Sequence, residues 1–581
     1  KLVRYDLGEL KGSNKSSSPK IAAYYAYPKE GVDLPGIVQI HGGGQRASLS
    51  RAKAWAQMGY ACISINWGAK VLEKDDTANT DWDGLAAGFI RPGIVRNDEL
   101  DHHNLIRPDK NTLYKEPHLL NSSWNLIAMS ARRALTFLEQ RPEVDPIKLG
   151  VEGHSMGGRS TVLTAIDPRI KAASPSVGGS GFLYQDMWGL KGSARRMAKE
   201  EGIELYRKTV SAQSYWPHIK APILFLGATN DFNSPTECVV EGMNLLPSAT
   251  PSALALAPHL NHRFSTGTSN ARFMWMEAHL KKSFNFPKAP LAKCDLTSKD
   301  GIPRFDLTLD ANCPFSVAKV EIFYGFARDP RIRFWRTAKH LKKGLMYSAH
   351  LHLFDTNEPL FAFANVTYTT PTKLPARPGV PASDLLTISS NYFSIYPQAL
   401  QENKIRATAK HDRFIDDFSM GMQDWYQLNA GNPHHWFYAT RKLLDPSFMG
   451  PKGARLKIDL DCSEAGGQLG IGINVNTWQN YTGRKSDVFY CTFKIPKQGL
   501  NTLSLTPADF INAKGEKLVD WDEITELFIT PANRLKTSHK IKENWLGRSP
   551  TLKLLSWEGG DFIKRPYPHE SRGKYASFDK I

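Results

Sequence analysis

The chain lacks the features that define several classes of protein. No stretch approaches the roughly 20 apolar residues of a membrane-spanning helix, so we expect no transmembrane segment. The six cysteines show no Cys-x-x-Cys spacing, which argues against a metal knuckle, although Cys294 with Cys313, and Cys462 with Cys491, could each pair within one domain. The chain has no arginine-rich helix, RNA-binding signature or zinc finger. We therefore predict no nucleic-acid partner, no resident metal and no cofactor.

Composition is that of a folded protein with several domains. The 581 residues are too many for one hydrophobic core, and two to four domains are expected. Lys and Arg number 74 against 57 Asp and Glu, a net charge of +17 that could attract an acidic or sulfated polysaccharide. Because the basic residues are scattered, a solvated basic surface fits as well. The chain begins with Lys1 rather than Met, from which we expect a mature secreted or periplasmic protein.

The most informative stretch is the pentapeptide Gly153-His154-Ser155-Met156-Gly157. An apolar strand pattern precedes it at residues 147–152 and a helical pattern follows at residues 158–166. Strand, tight turn of small residues and helix are the context of a nucleophile elbow, in which glycines relieve the crowding around a strained serine. The alternative is that this Gly-x-Ser-x-Gly sequence occurs by chance and has no catalytic role.

A glycine-rich loop follows an earlier strand. The apolar run at residues 37–40 ends in His41-Gly42-Gly43-Gly44-Gln45. Glycines let the backbone approach a ligand closely and leave N–H groups free to donate hydrogen bonds. We expect the N–H groups of Gly43 or Gly44, together with that of Met156, to hold an oxyanion. A flexible turn without such a role is the alternative.

Two long insertions should line the substrate site. Residues 67–122 and 181–220 are polar and aromatic, and long loops over the open end of a sheet commonly carry function. The acidic and histidine pairs near residues 81–83 and 101–104 could bind a metal or could simply be solvated. The predicted substrate contacts are His41, Gln45, Trp67, Trp82, His154 and Trp188.

An acid and a histidine follow the serine, each after a strand. The buried run at residues 222–227 leads to Asp231, and the run at residues 254–257 leads to His259 and His262. The order serine, acid, histidine, with the acid and the histidine on successive strand exits, is the α/β-hydrolase pattern.

On these motifs, residues 20–285 resemble the α/β-hydrolase superfamily, in particular its dienelactone-hydrolase and acetylxylan-esterase-like branches. The resemblance implies an α/β sheet with helices on both faces over residues 1–286. It also implies Ser155 as nucleophile, His262 as general base and then acid, and Asp231 as the group that orients the imidazole. His259 is the competing base, and Asp231 could instead be a plain turn acid.

The remainder of the chain reads as all-β. Alternating apolar residues over 287–376 predict an immunoglobulin-like β-sandwich. Residues 377–581 loosely resemble a jelly-roll carbohydrate-binding module, with dispersed aromatic residues that would either stack on sugar rings or form a core. The aromatic residues in question are Phe414, Phe418, Trp425, Trp436, Trp478 and Trp521.

These patterns together predict a serine esterase. The expected substrate is an acylated polysaccharide or oligosaccharide, possibly acidic or sulfated, from which acetyl groups are removed through an acyl-enzyme. Lactones, feruloyl esters and polyesters are alternative substrates. The alternative that is not an enzyme is a glycan-binding scaffold whose hydrolase fold has no catalytic activity.

Overall fold

The computed structural model describes residues 1–68, 71–72, 79–85, 106–180, 202–327, 329–429, 431–475, 487–522, 524–535 and 545–563. Trp188, Trp478 and the acidic and histidine run at residues 101–104 lie outside these ranges.

The N-terminal part alternates strands with helices. Its strands are β1 (Leu2–Asp6), β2 (Leu10–Lys11), β3 (Ser16–Ser17), β4 (Lys20–Ala26), β5 (Leu34–Ile40), β6 (Ala61–Ile65), β7 (Val144–His154), β8 (Ile170–Ser176), β9 (Ile223–Ala228) and β10 (Ser252–Ala257). Its helices are α1 (Leu49–Gln57), α2 (Ser123–Glu139), α3 (Met156–Thr164), α4 (Ile203–Thr209), α5 (Thr236–Met243) and α6 (Thr266–Met276), the last continued by a π-helical turn over Glu277–Lys281.

Strands β2 and β3 pair only with each other, and the other strands form one sheet in the order β1-β4-β6-β5-β7-β8-β9-β10. From β6 to β10 all neighbours are parallel, whereas β1, β4 and β6 pair antiparallel. Every residue of β5 is buried, as expected for a central parallel strand covered on both faces. Helices α2 and α3 pack on one face, and α1 and α6 on the other. The predicted α/β sheet with helices on both faces is confirmed for this part of the chain.

The middle part consists of antiparallel strands. They are β11 (Leu291–Asp295), β12 (Arg304–Thr308), β13 (Ser316–Gly325), β14 (Trp335–Ala338), β15 (His340–Lys343), β16 (Met346–His350), β17 (Leu360–Leu374), β18 (Ser383–Ser389) and β19 (Phe393–Ile395), followed by helix α7 (Pro397–Glu402). One sheet has the order β11-β12-β16-β15, and it shares an apolar core with β13, β17 and β18 of the second sheet. The two sheets form a sandwich; its immunoglobulin-like character stays a prediction.

The second sheet of this sandwich continues the N-terminal sheet. Strand β10 pairs antiparallel with β18, and the order runs on through β17, β13 and β14. The side chain of Asn365 on β17 donates to the carbonyl of Leu256 at 3.0 Å and so reinforces the junction. Because β18 pairs with β17, the boundary expected after residue 376 falls inside one hydrogen-bonded sheet. Strand pairing between segments this far apart along the chain leaves no local signal in the sequence.

The C-terminal part is a second sandwich. Its strands are β20 (Phe414–Asp416), β21 (Tyr426–Leu428), β22 (Phe437–Thr440), β23 (Arg455–Cys462), β24 (Gln468–Val475), β25 (Asp487–Lys494), β26 (Gly499–Leu505), β27 (Ile524–Pro531) and β28 (Thr551–Glu558). The two sheets have the orders β20-β28-β23-β26 and β21-β22-β27-β24-β25. The jelly-roll comparison remains an interpretation of the sequence.

Tryptophans fill the core between these two sheets. Trp425, Trp436 and Trp521 are all buried, in one cluster with Trp545 and Trp557. Of the two roles considered for the aromatic residues, the described tryptophans therefore take the structural one.

The six cysteines are unpaired, so the pairings considered for Cys294 with Cys313 and Cys462 with Cys491 are not formed. Within the described ranges, every helix is too short or too polar to cross a membrane.

A buried ion pair ties the middle sandwich to the N-terminal part. Glu237 on α5 accepts hydrogen bonds from the guanidinium of Arg333 and from the hydroxyl of Tyr392, the latter at 2.7 Å. Arg333 is 0% exposed, donates through Nε to the carbonyl of Ala327 at 2.9 Å, and lies over the ring of Phe361. A charge this deep is tolerated because a carboxylate, a hydroxyl and a carbonyl surround it.

Replacing Glu237 with Ala should lower the free energy of unfolding by about 3–5 kcal/mol, because Arg333 would remain buried without its counter-charge. Urea unfolding of the full chain, followed by tryptophan fluorescence, measures the change. Glu241→Ala, at an exposed position on the same helix, is the control and should stay within about 0.5 kcal/mol of wild type. Equal stability of the two variants would contradict the assignment.

Candidate active site

Ser155 occupies the turn between β7 and α3 in a strained conformation. Its φ is +61° and its ψ −118°, a region that residues with a side chain rarely adopt. Glycines make the turn possible. A Cβ on Gly157 would lie 2.1 Å from the carbonyl oxygen of Ile40, and one on Gly178 would lie 2.0 Å from that of Ser155. The backbone segments therefore pack around Ser155 at distances that exclude any side chain, as in a nucleophile elbow.

The glycine-rich loop lies directly against this turn. The N–H of Gln45 donates to the carbonyl of Gly42 at 3.3 Å, and Gly44 has a φ of +68°. A Cβ on Gly42 would lie 3.3 Å from the Cβ of Ser155, and one on Gly43 would lie 2.4 Å from the sulfur of Met156. The loop thus borders both Ser155 and the first residue of α3. This is the neighbourhood in which backbone N–H groups of the loop and of Met156 would converge on an oxyanion.

Asp231 and His262 are joined by a short hydrogen bond. Nδ1 of His262 lies 2.7 Å from Oδ2 of Asp231, and since an ionised carboxylate can only accept, Nδ1 carries the proton. The other oxygen, Oδ1, accepts from the N–H groups of Asn233 at 2.7 Å and Ser234 at 2.6 Å. Asp231 is 0% exposed, so its carboxylate is fixed by three donors without solvent. The tautomer that results leaves Nε2 of His262 free to accept a proton.

His262 reaches the elbow through the residue next to Ser155. Its ring centroid lies 5.0 Å from that of His154, in an edge-on arrangement, and 4.7 Å from that of Phe232. The loop that carries it is strained, because both His259 and His262 have positive φ angles, of +63° and +57°. The ring is therefore held beside the end of β7 by neighbours and by a backbone that the surroundings must stabilise.

His259, the competing base of the sequence analysis, has different partners. Its ring is 6% exposed and faces the carboxylate of Asp424 in the C-terminal sandwich at 3.7 Å. Burial, with smaller contributions from Arg441 and Lys442, lowers the pKa of His259 to about 3. Burial also raises the pKa of Asp424. Asp231 is thus hydrogen-bonded to His262, while His259 lies at the contact between the domains.

The loops that carry Asp231 and His262 are anchored by both sandwiches. Arg441 donates to the carbonyl of His259 at 2.8 Å and pairs with Glu526. Asn230, beside Asp231, donates to the carbonyl of Arg333 at 2.7 Å. No sequence pattern indicated Arg441 or Asn230, because no local motif links residue 441 to a loop about 180 positions earlier.

Several predicted substrate contacts are buried instead. His41 stacks on Trp67 with ring centroids 4.7 Å apart, and the indole of Trp82 donates to the carbonyl of Trp67 at 3.1 Å. These three side chains are 1–5% exposed, and the indole of Trp67 donates to the carbonyl of His41, where the glycine-rich loop begins, at 2.9 Å. Gln45 is exposed, and Trp188 lies outside the described residues. Sequence reasoning placed the aromatic residues near the site but could not distinguish a supporting layer from a lining.

His154 is a neutral part of the site. Burial, then the neighbouring charges of His262, Arg272 and Arg51, lowers the pKa of His154 to about 3. Its ring packs edge-on against Phe264 as well as His262. An uncharged imidazole at this place does not repel the positive charge that His262 would acquire during acid–base chemistry.

Comparison with known proteins adds similarities of fold. No family model matches the chain. It is similar to the acetyl xylan esterase from Paenibacillus sp. R4, with 20% identity and a TM-score of 0.35 over 48% of this chain and 90% of that one. It is also similar to acetyl xylan esterase 1 from Thermoanaerobacterium sp. JW/SL YS485, with 16% identity and a TM-score of 0.35 over 48% and 87% of the two chains.

A third similarity is to the acylaminoacyl peptidase of Pyrococcus horikoshii, with 18% identity and a TM-score of 0.34 over 49% and 43% of the two chains. The structural neighbours are thus acetyl xylan esterases and related α/β-hydrolase serine hydrolases. At these identities the similarities concern the fold of about half of the chain, and they leave the substrate and the reacting residues open.

The lowered pKa of His154 predicts acid sensitivity. In the unfolded chain a histidine titrates near 6.5, so between about pH 6.5 and pH 3 the unfolded state binds more protons and stability falls as the pH falls. From pH 7 to pH 5 His154 should account for a loss on the order of 2 kcal/mol. Urea unfolding at both pH values should show a smaller loss in His154→Gln than in wild type. His434→Gln, at an exposed position, is the control; identical losses in all three proteins would contradict the prediction.

Proposed function

We propose that the protein is a serine-dependent carboxylic ester hydrolase that removes acyl groups, with acetyl as the expected group, from a polysaccharide or oligosaccharide. The single observation that carries this proposal is the 2.7 Å hydrogen bond between Asp231 and His262, made on a loop beside the strained turn of Ser155. A buried acid that fixes the tautomer of a partly exposed histidine has a clear chemical use only if that histidine accepts a proton.

The proposed reaction begins with attack by Oγ of Ser155 on the ester carbonyl. A serine hydroxyl is a weak nucleophile at its own pKa, so Nε2 of His262 takes its proton as the bond forms. Asp231 stays ionised and stabilises the imidazolium without receiving the proton. N–H groups of Met156 and of Gly43 or Gly44 would hold the oxyanion, where fixed dipoles stabilise the developing charge.

The tetrahedral intermediate then breaks down to an acyl-enzyme. The sugar oxygen is expelled, takes the proton from His262 and leaves the acyl group on Ser155. In the second stage water, deprotonated by the same imidazole, attacks the acyl-enzyme, and the second tetrahedral intermediate expels Oγ of Ser155, which takes the proton from His262 as the carboxylic acid is released. Each stage uses His262 once as a base and once as an acid, which requires the free Nε2 that the contact with Asp231 provides.

A silent glycan-binding platform is the competing function. It is disfavoured by two features of the described residues. The tryptophans of the C-terminal sandwich are buried in its core, and the strain at Ser155 and His262 would have no use on a passive fold. An extracytoplasmic location and a polymeric substrate are further parts of the proposal.

Ser155→Ala should reduce turnover of a short chromogenic acetate by at least about 10³-fold, because the attacking oxygen is removed. Ser160→Ala on the same helix is the matched control and should retain activity. Unchanged thermal unfolding of both variants would show that the fold is intact. Retained activity in Ser155→Ala would mean that the serine is misassigned, and acetate release from a panel of acetylated glycans, some sulfated, would then define the substrate of the wild type.

Arg441→Met should lower kcat on the same acetate by about 10-fold or more, with little change in KM. Arg441 acts as a positioning residue: without its bond to the carbonyl of His259, the strained segment up to His262 can shift away from Ser155. The rate at which a fluorophosphonate inactivates Ser155 should fall in parallel, because that reaction also needs the histidine.

Arg441→Lys, which keeps a charged donor, should recover part of the rate. Arg455→Met, at an exposed site of the same sandwich, is the control. If Arg441→Met reacted with the fluorophosphonate as fast as wild type, the anchoring role would be refuted.

A further inference from the structure

A cavity of about 910 Å³ lies where the N-terminal part meets both sandwiches. Its volume is within the range of roughly 300–1,000 Å³ typical of small-molecule sites. His154 and His262 form part of its wall, and the segment 420–429 of the C-terminal sandwich closes another side. The cavity is therefore next to the proposed catalytic histidine and is formed only when all three parts of the chain come together.

Cations dominate the wall beside these histidines. Arg51 on α1, Arg272 on α6 and Arg377 from the middle part all line the cavity. Arg272 is 7% exposed and pairs with Glu152 at 3.0 Å. The other two arginines have no carboxylate within ion-pair distance among the described residues, and Glu152 serves Arg272 alone. Of the three guanidinium groups, only that of Arg272 therefore has a carboxylate partner.

The remaining acids of the cavity are already engaged. Glu321 pairs with Lys319 at 2.7 Å, and Asp424 accepts from the hydroxyl of Thr337 at 2.6 Å. Among the described residues, neither acid forms an ion pair with any of the three arginines.

Two of these arginines, Arg272 and Arg377, are buried and do not use all of their hydrogen-bond donors. Arg377 is 7% exposed and donates to the carbonyl of Pro375 and to the side chain of Asn270, but its Nε has no hydrogen-bond partner within the described part of the chain. The same holds for Nε of Arg272. A buried guanidinium with too few acceptors is costly, and an oxygen-rich anion in the cavity would lower that cost by pairing with its charge.

The charges are close enough to act on one another. The pKa of Arg377 is lowered to about 10, first by burial and then by Arg272. The pKa of Arg272 is lowered by burial, with Arg51 opposing the effect of Glu152. Mutual repulsion of this kind would be relieved by an anion bound between the three groups.

We propose that this cavity binds an oxyanion, the carboxylate or sulfate group of an acidic sugar. Guanidinium groups match both anions because their planar N–H donors pair with two oxygens at once. That the anion belongs to the chain whose ester is cleaved rests on the proposed esterase function. The binding site itself does not, because it is defined by the arginines.

Calorimetric titration of the full-length Ser155→Ala protein tests the site without any catalysis. The probes are sodium sulfate and sodium D-glucuronate, each against sodium chloride at equal ionic strength. Saturable binding is expected, weakened about 10-fold or more in Arg51→Gln, since a charge-assisted hydrogen bond is lost. Lys53→Gln, an exposed position on the same helix, should bind as the parent does. Arg377→Gln provides a second test, and Arg51→Lys should keep part of the affinity.

Absence of saturable binding, or equal binding in the parent and both glutamine variants, would overturn the proposal. The source of the anion is decided by activity in proteins that keep Ser155. If it is part of the substrate, the ratio of kcat/KM for an acetylated acidic oligosaccharide to that for a neutral acetate should fall about 10-fold in Arg51→Gln. An unchanged ratio, with Arg51-dependent binding, would overturn the substrate assignment and leave a site for a free anion. Loss of the esterase function alone would leave the titration result standing.

Discussion

The structure depends on backbone contacts around Ser155 that leave no room for a side chain. Gly157 lies against the carbonyl of Ile40, and Gly178 against that of Ser155 itself. These contacts hold β5, β7 and the segment after β8 together at the ends of parallel strands, and they keep Ser155 at a φ of +61°. The strain is stored where three segments determine it jointly, so the glycine-rich loop, the elbow and the helix α3 form one rigid unit.

The acid and the histidine lie on two loops that contact residues of both β-sandwiches. Asp231 is fixed by N–H donors of its own turn, and the loop of His262, with its two positive φ angles, is hydrogen-bonded to the Asp231 loop through His259, Leu260 and Asn261. Arg441 of the C-terminal sandwich adds a bond to the carbonyl of His259, and the carbonyl of Arg333 in the middle part accepts from Asn230 beside Asp231. Both sandwiches therefore bond directly to the loops that carry Asp231 and His262.

Arginines lie at two places where the N-terminal part meets the sandwiches, and they differ in their partners. Arg333 is neutralised by Glu237 in a dry contact, which makes that junction a structural one. The cavity beside His262 collects arginines with a single carboxylate between them, in a place large enough for a ligand. Buried cations that are paired stabilise a junction, whereas buried cations left short of acceptors are suited to bind an anion. Some of the chain's excess positive charge is thus clustered in the cavity beside His262.

The sequence by itself determined the α/β part of the fold, because burial of β5, β7 and β9 and the helical periods between them are local patterns. It also determined the elbow and the order of serine, acid and histidine, since each follows a strand end that the pattern marks. Only the tertiary structure decided that Asp231 bonds to His262 and not to His259, that Trp67 and Trp82 are buried, and that β18 continues the N-terminal sheet. These are contacts between segments far apart along the chain. They depend on how loops turn and how sheets pair, which neither periodicity nor spacing encodes.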